Sequence, residues 1–487
     1  MIDCCRGYDS IATMSGKNFI VFMSDEHTPS VMGAYGNTIV KTPNLDRLAA
    51  GGVRFTTAYT PSPICISARA SFATGTPVFE HACWSSAEPY YGQHQSWMHR
   101  LRDRGHDVVS IGKLHFRSAE DDNGFSEEIL PMYLTNGGKG WPQGLQRKPM
   151  VNFPGAAELA DGVGPGETSY TEYDRRITAA AVDWLGRRDP ADQTPWVLFV
   201  SLVCPHFPLS APQEFYDLYR GVDLPEPFDR NPDTWVGHPV IDEMRQFWNY
   251  ADYFDPETEV EGLRNYYGLC SYLDDNVGQV LAALDASGQA DRTQIIYTSD
   301  HGDLIGNHGI WCKSFMYEDS VGIPMTLSGP GIEASINPTP VSLCDIGSTV
   351  EYAVTGEIPS ASDGWRGRPL QQLAETPDAE RLVLSEYHDG GSPCGFYMLR
   401  QGPWKFVYYS EGHPALLFNL DDDPRELDNL AERRADVANR MREQLYSICD
   451  PEAVNNRAFA DQAVMIEKLG GMDAINAMSS FNHTPVE

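Results

Sequence analysis

The sequence contains a lone cysteine, Cys65, whose surroundings suit a chemical role. It follows Pro61 and Pro63 in the chain and precedes Arg69 by four residues. Small residues follow it as far as Gly75, so the sequence predicts a short helix that ends at this glycine. The first-turn amides of that helix, its dipole and the guanidinium all favour negative charge. The pattern therefore predicts an anion site beside Cys65. A buried structural thiol at a loop-to-helix junction is the alternative.

Polar side chains also follow four apolar runs, at 19–23, 108–111, 196–202 and 294–298. These runs have the pattern of buried parallel strands, and ligand sites of open α/β sheets lie at the carboxyl ends of the strands. An acidic residue in that position is often only a helix cap. Taken together, the side chains predict a site at one sheet edge; they are Asp25, Glu26, Lys113, His115, His206, Asp300 and His301.

Residues 65–75 resemble the signature of the type I sulfatases, which belong to the alkaline phosphatase superfamily, and residues 42–49 form a second feature that is frequent in that family. In the family the cysteine is oxidised after translation to formylglycine, whose hydrate is the nucleophile. Ser67 stands where the family usually has Pro and less often Ala. The resemblance implies that a formylglycine-generating enzyme acts on Cys65 as a maturation partner.

The same resemblance implies one divalent metal ion. It places Asp25, Asp300 and His301 on the cation together with the modified Cys65. Glu26 occupies a further ligand position, where Asp is usual and some relatives have Gln. Carboxylates with one imidazole suit a hard cation, so Ca²⁺ is the expected metal ion, and Mn²⁺ and Mg²⁺ are the alternatives.

The resemblance also implies roles for the basic side chains. Arg69 and Lys113 would hold the hydrate, and His115 would take a proton when the covalent adduct breaks down. His206 and Lys313 would bind sulfate oxygens and protonate the departing oxygen. The expected substrate-binding residues are thus Lys113, His206, Lys313 and, as a possible leaving-group contact, His308.

The predicted reaction is the hydrolysis of a sulfate monoester, which releases inorganic sulfate and an alcohol. Within the family the chain looks most similar to choline-sulfatase-like and phosphonate-monoester-hydrolase-like bacterial members, through residues 299–302, 309–313, 385–388 and 417–426. Two alternatives stay open. The same site would also suit a phosphonate monoester or a phosphodiester, and the chain could instead be an unmodified-cysteine enzyme or a non-catalytic binding homologue.

The alternation of strand and helix patterns predicts an α/β fold, with a large, mostly parallel sheet flanked by helices, as in alkaline phosphatase. Short strands after residue 380 predict a smaller C-terminal α+β subdomain with an antiparallel sheet and a helix over 426–446. Irregular segments at 120–170 and 210–260 are expected near the site. The predicted divisions are an N-terminal extension 1–17, a catalytic domain 18–380, the subdomain 381–450 and a tail 451–487 that contains a weak helix and meets a neighbouring subunit.

The charge balance excludes several partners. The chain has 36 basic and 68 acidic residues and a net charge of -32, which argues against nucleic acid and anionic membranes. A sulfate ester would need a locally positive pocket or a cation of its own. Trp84, Tyr90, Tyr91 and Trp97 either form an aromatic cage for a quaternary ammonium or are ordinary packing.

The ten cysteines have no paired spacing, which is typical of free thiols rather than of a disulfide framework. The sequence has no signal-peptide pattern and no apolar run long enough to span a bilayer. We therefore expect a cytoplasmic enzyme that acts on a small molecule and forms a homo-oligomer.

Overall fold

The structure, a computed structural model, describes residues 16–150, 155–231, 235, 237–359, 367–479 and 484–486. Its strands are β1 Asn18–Asp25, β2 Gly52–Phe55, β3 Ala58–Tyr59, β4 Asp107–Lys113, β5 Glu127–Met132, β6 Trp196–Pro205, β7 Thr293–Ser299, β8 Met325–Ser328, β9 Ser335–Asn337, β10 Val341–Ser342, β11 Val383–Tyr387, β12 Phe396–Gln401, β13 Trp404–Tyr409 and β14 Leu416–Asn419. Its helices are α1 Pro43–Ala50, α2 Cys65–Thr74, α3 Val78–His81, α4 Trp97–Asp103, α5 Thr135–Gly138, α6 Gly155–Asp161, α7 Ser169–Gly186, α8 Gln213–Asp217, α9 Pro239–Trp248, α10 Pro256–Ala286, α11 Glu318–Val321, α12 Cys344–Thr355, α13 Leu370–Glu375, α14 Ala435–Ile448, α15 Pro451–Lys468 and α16 Met472–Asn476.

The central sheet has eight strands in the order β5-β4-β6-β1-β7-β8-β2-β9. The first five run parallel, β8 is antiparallel to both of its neighbours, and β9 is parallel to β2. In the middle of the sheet, Ile20 of β1 pairs with Leu198 of β6 and Ile295 of β7. The predicted fold class, a large, mostly parallel sheet with helices, is confirmed.

Strand β1 is buried on both faces, as its continuous apolar run predicts. Phe19, Val21 and Met23 pack in one core cluster with residues of α2, α4 and α12, whereas Ile20 and Phe22 pack in another with residues of α1, α7 and α10. The alternation of side chains along the strand therefore supplies two cores from one segment. The carboxyl end of β1 is held between helical layers on both sides.

The C-terminal strands β11 to β14 form a separate antiparallel sheet, as predicted. One face of its strand β12 presents Phe396 and Met398 to a core shared with the main body. The other face presents Tyr397 and Leu399 to helix α14, where Leu445 packs against them. The sheet is thus sandwiched between the larger domain and its own helix. The exact division at residue 380 stays a prediction.

Three local predictions need correction. The helix expected over 426–446 begins only at Ala435, because the preceding segment is held in turns such as the bond from the Glu426 amide to the Asp423 carbonyl. The segment 210–260 contains α8, α9 and the start of α10. The weak helix expected in the tail is the eighteen-residue α15, which Asp450 caps by accepting from two backbone amides.

The described part of the tail lies along its own subunit. The Gln143 side chain donates to the carbonyls of Ile475 and Met478 at 3.1 and 3.3 Å. The Asn136 side chain donates to the Ser479 carbonyl at 3.0 Å. Contact between the tail and a second copy of the chain stays a prediction.

No helix in the described ranges is both long enough and apolar enough to cross a membrane. The eight cysteines within those ranges carry free thiols. Cys4 and Cys5, like most of the predicted extension 1–17, lie outside the described residues.

Candidate active site

The carboxyl ends of the central parallel strands meet at one edge of the sheet. Strand β1 ends at Asp25 between β6 and β7, and β7 leads directly into Asp300 and His301. The backbone amides of Glu26 and His301 both donate to Asp300 Oδ1, at 3.3 and 3.0 Å. These contacts tie the ends of β1 and β7 together, so that the predicted acidic residues converge.

Helix α2 brings Cys65 to this edge. The preceding Ile64 is extended, with φ -153° and ψ 131°, and Cys65 is the first helical residue. Its Sγ lies 3.2 Å from His301 Nε2, 3.3 Å from Lys313 Nζ and 3.7 Å from Asp25 Oδ1. Burial and the neighbouring Asp25 raise the pKa of the Cys65 thiol to about 11. The side chain therefore lies between an acidic group and a lysine.

Four side chains offer donor atoms that suit one divalent cation. The donor atoms of Asp25, Cys65, Asp300 and His301 all lie within 4.8 Å of one another, and all four residues are buried. His301 Nδ1 donates to the Gly302 carbonyl at 3.0 Å, so the Nε2 lone pair points into this set. Two carboxylates and one imidazole around a shared point fit a hard cation.

Glu26 lies beside these four residues, and its carboxyl group faces His206 and Lys313. Its carboxylate oxygens are 3.5 Å from Lys313 Nζ and 3.5 Å from His206 Nε2. Its φ of 69° turns the backbone at the point where β1 ends. The donor atoms of Glu26, Asp25 and His206 form a second close group. The ligand role expected for Glu26 stays a prediction, because its carboxylate is shared with the basic residues.

Two buried cations neutralise the acidic edge. Arg69 donates from Nε to Asp300 Oδ2 at 2.8 Å and from Nη1 to Ser201 Oγ at 2.9 Å. Lys113 forms an ion pair with Asp25. Burial alone would raise the pKa of Asp25, but the positive charge, with Lys113 the strongest, holds this pKa well below its ordinary value. Asp25 is therefore kept ionised, and both carboxylates are held in place.

His206 and Lys313 form a contact on the opposite side of Cys65. His206 Nδ1 lies 2.7 Å from the Phe207 carbonyl, to which it must donate, so its Nε2 accepts from Lys313 Nζ at 2.9 Å. Burial would lower the pKa of Lys313, but Cys65, Glu26 and Asp25 raise this pKa well above its ordinary value. The lysine is therefore the proton donor of the pair.

His115 follows β4 in a left-handed backbone conformation, with φ 54°. Its Nε2 lies 3.0 Å from Thr484 Oγ1 of the tail. Burial, reinforced by Lys113 and Arg69, lowers the pKa of His115 well below its ordinary value. The imidazole is therefore neutral at physiological pH and able to accept a proton.

A cavity of about 300 Å³ opens onto this set. Cys65, His115, His206 and Lys313 line it, which brings four of the predicted residues to one wall. The predicted segment 120–170 also contributes to the lining, so it does lie over the site, as expected. Sequence reasoning did not single out four further contributors, namely Tyr170, Trp248, Asp389 and Thr484.

His308 does not line this cavity. Its Nδ1 lies 3.0 Å from Asp229 Oδ2, and its ring stacks on Tyr317 with a centroid distance of 3.8 Å. The leaving-group contact expected of His308 stays a prediction, and its side chain packs inside its own loop.

The aromatic-cage interpretation is wrong. Trp97 is buried in the main core and donates to the Phe72 carbonyl, and Trp84 donates to Asp461. Tyr90 donates to the His94 carbonyl, while Tyr91 is 41% exposed. None of the four lines the cavity, because each is used in packing or lies at the surface.

Asp25, Asp300 and His301 thus surround a point beside Cys65 at the carboxyl edge of an open α/β sheet, where a cation could lie next to a reactive side chain. A sequence model of the sulfatase family matches residues 17–353, and a model of the N-sulphoglucosamine sulphohydrolase C-terminal region matches residues 306–450. The chain therefore belongs to the sulfatase family, and it is an enzyme of the sulfuric ester hydrolase class.

Curated relatives agree with this assignment. The choline-sulfatase of Rhizobium meliloti (strain 1021) is 30% identical over 444 residues, which cover 86% of this chain and 83% of the relative. Arylsulfatase K of Danio rerio is 30% identical over 461 residues, which cover 90% of this chain and 84% of the relative. The resemblance seen in the sequence is confirmed.

Solved structures share the fold. A protein in complex with its substrate D-glucosamine-2-N,6-O-disulfate superposes with a TM-score of 0.69 at 21% identity, covering 92% of this chain and 98% of that chain. The phosphonate monoester hydrolase of Agrobacterium radiobacter gives a TM-score of 0.69 at 23% identity, covering 88% and 95%. At such identities the likeness establishes the fold.

Proposed function

We propose that the chain hydrolyses a sulfate monoester through a formylglycine formed from Cys65, releasing inorganic sulfate and an alcohol. The observation that carries this proposal is the position of Cys65 Sγ, which lies 3.2 Å from His301 Nε2 and 3.3 Å from Lys313 Nζ. An atom at this point can touch both a cation site and a proton donor. The hydrate at position 65 would supply one hydroxyl that attacks sulfur and a second that lets the sulfate leave.

Asp25, Asp300 and His301 would hold one divalent cation, with Glu26 as the additional predicted ligand. Their oxygen-rich set favours Ca²⁺, with Mn²⁺ or Mg²⁺ as alternatives. When bound, the cation would supply positive charge that stabilises the oxyanion and acidifies the nucleophile. Arg69 fixes Asp300 through its Nε, and Lys113 fixes Asp25, so the ligands are preorganised.

Lys313 is the group that we assign to protonation of the leaving oxygen. Its Nζ carries the protons of the contact, because the Nε2 of His206 acts only as an acceptor there. His206 thereby orients the ammonium group, and it stays the second candidate for protonation of the leaving oxygen that the sequence predicts. Both side chains would also bind sulfate oxygens.

His115 is the proton acceptor that we assign to sulfate release. It lines the cavity as a neutral imidazole on the same wall as Cys65. Arg69 and Lys113 carry the positive charge on that side, and their predicted contact with the hydrate is part of the proposal.

Two further parts of the proposal concern the surroundings of the enzyme. Conversion of Cys65 requires a formylglycine-generating enzyme, which must accept Ser67 in the recognition segment. The free thiols of the described cysteines suit a reducing compartment, which supports the cytoplasmic location that the sequence predicts.

A second candidate function is hydrolysis of a phosphonate monoester or a phosphodiester. A phosphoryl group has the tetrahedral oxyanion shape that the same cationic groups would bind, and proteins of the same fold include phosphonate monoester hydrolases. The test compares kcat/KM for 4-nitrophenyl sulfate with that for the 4-nitrophenyl ester of phenylphosphonate. We expect the sulfate to be preferred; preference for the phosphonate would establish the second candidate instead.

A further inference from the structure

The cavity that receives the alcohol half of the substrate has one lysine. Among the residues that the structure describes, Lys313 is the only lysine or arginine in the lining, and it contacts Cys65 at the sulfate position. The segments at 151–154 and 480–483, which lie outside the described ranges, contain no lysine or arginine either. Within the described lining, no other lysine or arginine is therefore left for a second anionic group.

Neighbouring basic residues are committed elsewhere. Arg147 is buried and donates from Nε to the Ser392 carbonyl, and it does not line the cavity. Lys148 forms an ion pair with Glu411. Lys139 lines a different cavity. Their side chains do not supply positive charge to the alcohol side of the site.

The wall on that side is acidic and aromatic. Two acidic side chains lie there, Glu158 of α6, which is exposed, and Asp389 after β11, which is buried and whose pKa burial raises. Trp141 and Trp248 supply indole rings whose centroids lie 6.2 Å apart. A second sulfate or carboxylate placed here would lose its hydration beside like charge, which is unfavourable, and the net charge of -32 adds to the repulsion. An apolar or aromatic body would instead gain from burial against the rings.

We propose that the substrate is the sulfate ester of a compact alcohol with an apolar or aromatic body and no second anionic group. This inference rests on the proposed function and adds the substrate class. The volume of about 300 Å³ lies at the small end of ligand cavities, which suits one ring rather than an oligosaccharide. The chain is thus assigned a substrate class different from multiply sulfated sugars.

The test uses three aryl sulfates of equal shape and similar leaving-group basicity, namely those of 4-ethylphenol, tyramine and 4-hydroxyphenylacetate. We expect the neutral and the cationic esters to have kcat/KM values within about fivefold of each other, and the carboxylate ester to be at least about tenfold poorer. Equal or better turnover of the carboxylate ester would overturn the inference.

A charge-reversal variant tests whether Glu158 contributes to the discrimination against the carboxylate ester. Glu158→Lys is expected to raise the ratio of carboxylate to neutral turnover by about fivefold or more. Asp161→Lys, an equal charge change on the exposed part of the same helix outside the cavity lining, is the matched control and should leave this ratio within about twofold. Equal ratios in the two variants would contradict the assigned wall.

Binding measurements test this inference independently of the proposed catalytic function. Calorimetry on Cys65→Ala measures affinity for the same three esters without turnover. If wild-type enzyme hydrolyses no sulfate but the variant binds the neutral ester about tenfold more tightly than the carboxylate ester, the proposed function fails, whereas the preference of the cavity for a body without a second anionic group stands. If all three bind equally, the substrate class fails whatever the activity.

Discussion

At the scale of single residues, the site depends on Lys313, whose Nζ touches Cys65, His206 and Glu26 within 3.5 Å. No other lysine in the described ranges lines the cavity. Its loop is held by Asp303, which accepts from the backbone amides of Ile305 and Cys312. One loop thus places the proton donor opposite the nucleophile.

We predict that Lys313→Met lowers kcat/KM for 4-nitrophenyl sulfate by about 10²-fold, because both a sulfate contact and a general acid are lost. The loss should be larger for alkyl sulfates, whose leaving oxygen needs the proton more. Lys41→Met, at an exposed lysine, is the matched control. An equal loss for good and poor leaving groups would show that Lys313 only binds the sulfate.

Removal of the metal ion is the second prediction at this scale. A chelator should abolish hydrolysis, and Ca²⁺ should restore it better than Mg²⁺. Added Ca²⁺ should also raise the thermal midpoint of wild-type protein but not that of Asp300→Asn, because binding to the folded state stabilises it. Full activity after exhaustive chelation would exclude the metal-dependent reaction.

The site residues that could be predicted from the sequence lie within short motifs of the chain. Cys65 and Arg69 lie one helical turn apart, and Asp300 and His301 end a strand. Thr484 and Asp389 carry no such signal, because only folding brings them to the cavity. The position of His308 outside the cavity lining was not predictable, because a loop histidine gives no information on which way its ring turns.

At the scale of elements, the C-terminal sheet is locked to the catalytic domain by buried charge. Lys405 of β13 donates to Glu318 of α11 at 2.8 Å and forms an ion pair with Glu426 at 2.7 Å. The amide of Glu318 donates to Glu426 Oε2 at 2.6 Å. Burial raises the pKa of Glu426 to about 7, although Lys405 opposes this shift. The cluster joins strand β13 of the C-terminal sheet to helix α11 through three side chains.

We expect Lys405→Met to lower the free energy of unfolding by about 3–5 kcal/mol, because it leaves two carboxylates without their shared cation. Glu426→Gln should cost less, about 1–2 kcal/mol, since the amide resembles the protonated acid. Urea unfolding followed by tryptophan fluorescence measures both. A Lys405→Met protein with the midpoint of the wild type would show that the cluster does not hold β13 to α11.

Element positions were predictable where apolar runs are long, as in β1 and β6, because a buried parallel strand needs such a run. The antiparallel direction of β8 was not predictable, because a four-residue strand carries no sign of its orientation. The start of α14 was set too early because Glu426 and its neighbours suit a helix locally, whereas Glu426 is held instead by Lys405 and Glu318.

At the scale of the whole molecule, the tail returns from the C-terminal sheet to the candidate active site. Thr484 lines the cavity and lies 3.0 Å from His115 Nε2. The two residues are 369 positions apart in the chain. A hydroxyl of the tail thus contacts the imidazole of His115 inside the cavity.

We predict that Thr484→Val lowers kcat by about tenfold and shifts the pH profile of kcat, because His115 loses the hydroxyl that orients its ring. Thr484→Ser keeps the hydroxyl and should retain most of the activity. If the valine and serine variants have the same pH profile as the wild type, the tail does not position His115.

The tail also carries the prediction that the chain forms a homo-oligomer. Small-angle scattering should give a mass that is a multiple of the 54.1 kDa chain, and deletion of residues 472–487 should reduce it. A monodisperse monomer of the full chain would contradict this.

The most direct test of the central claim is the mass of the tryptic peptide that contains Cys65, measured on a preparation of known specific activity. The account predicts a peptide about 18 Da lighter than the cysteine form, in a fraction that rises in proportion to the activity, since conversion to formylglycine creates the nucleophile. A fully active preparation whose peptide carries only unmodified cysteine would contradict it.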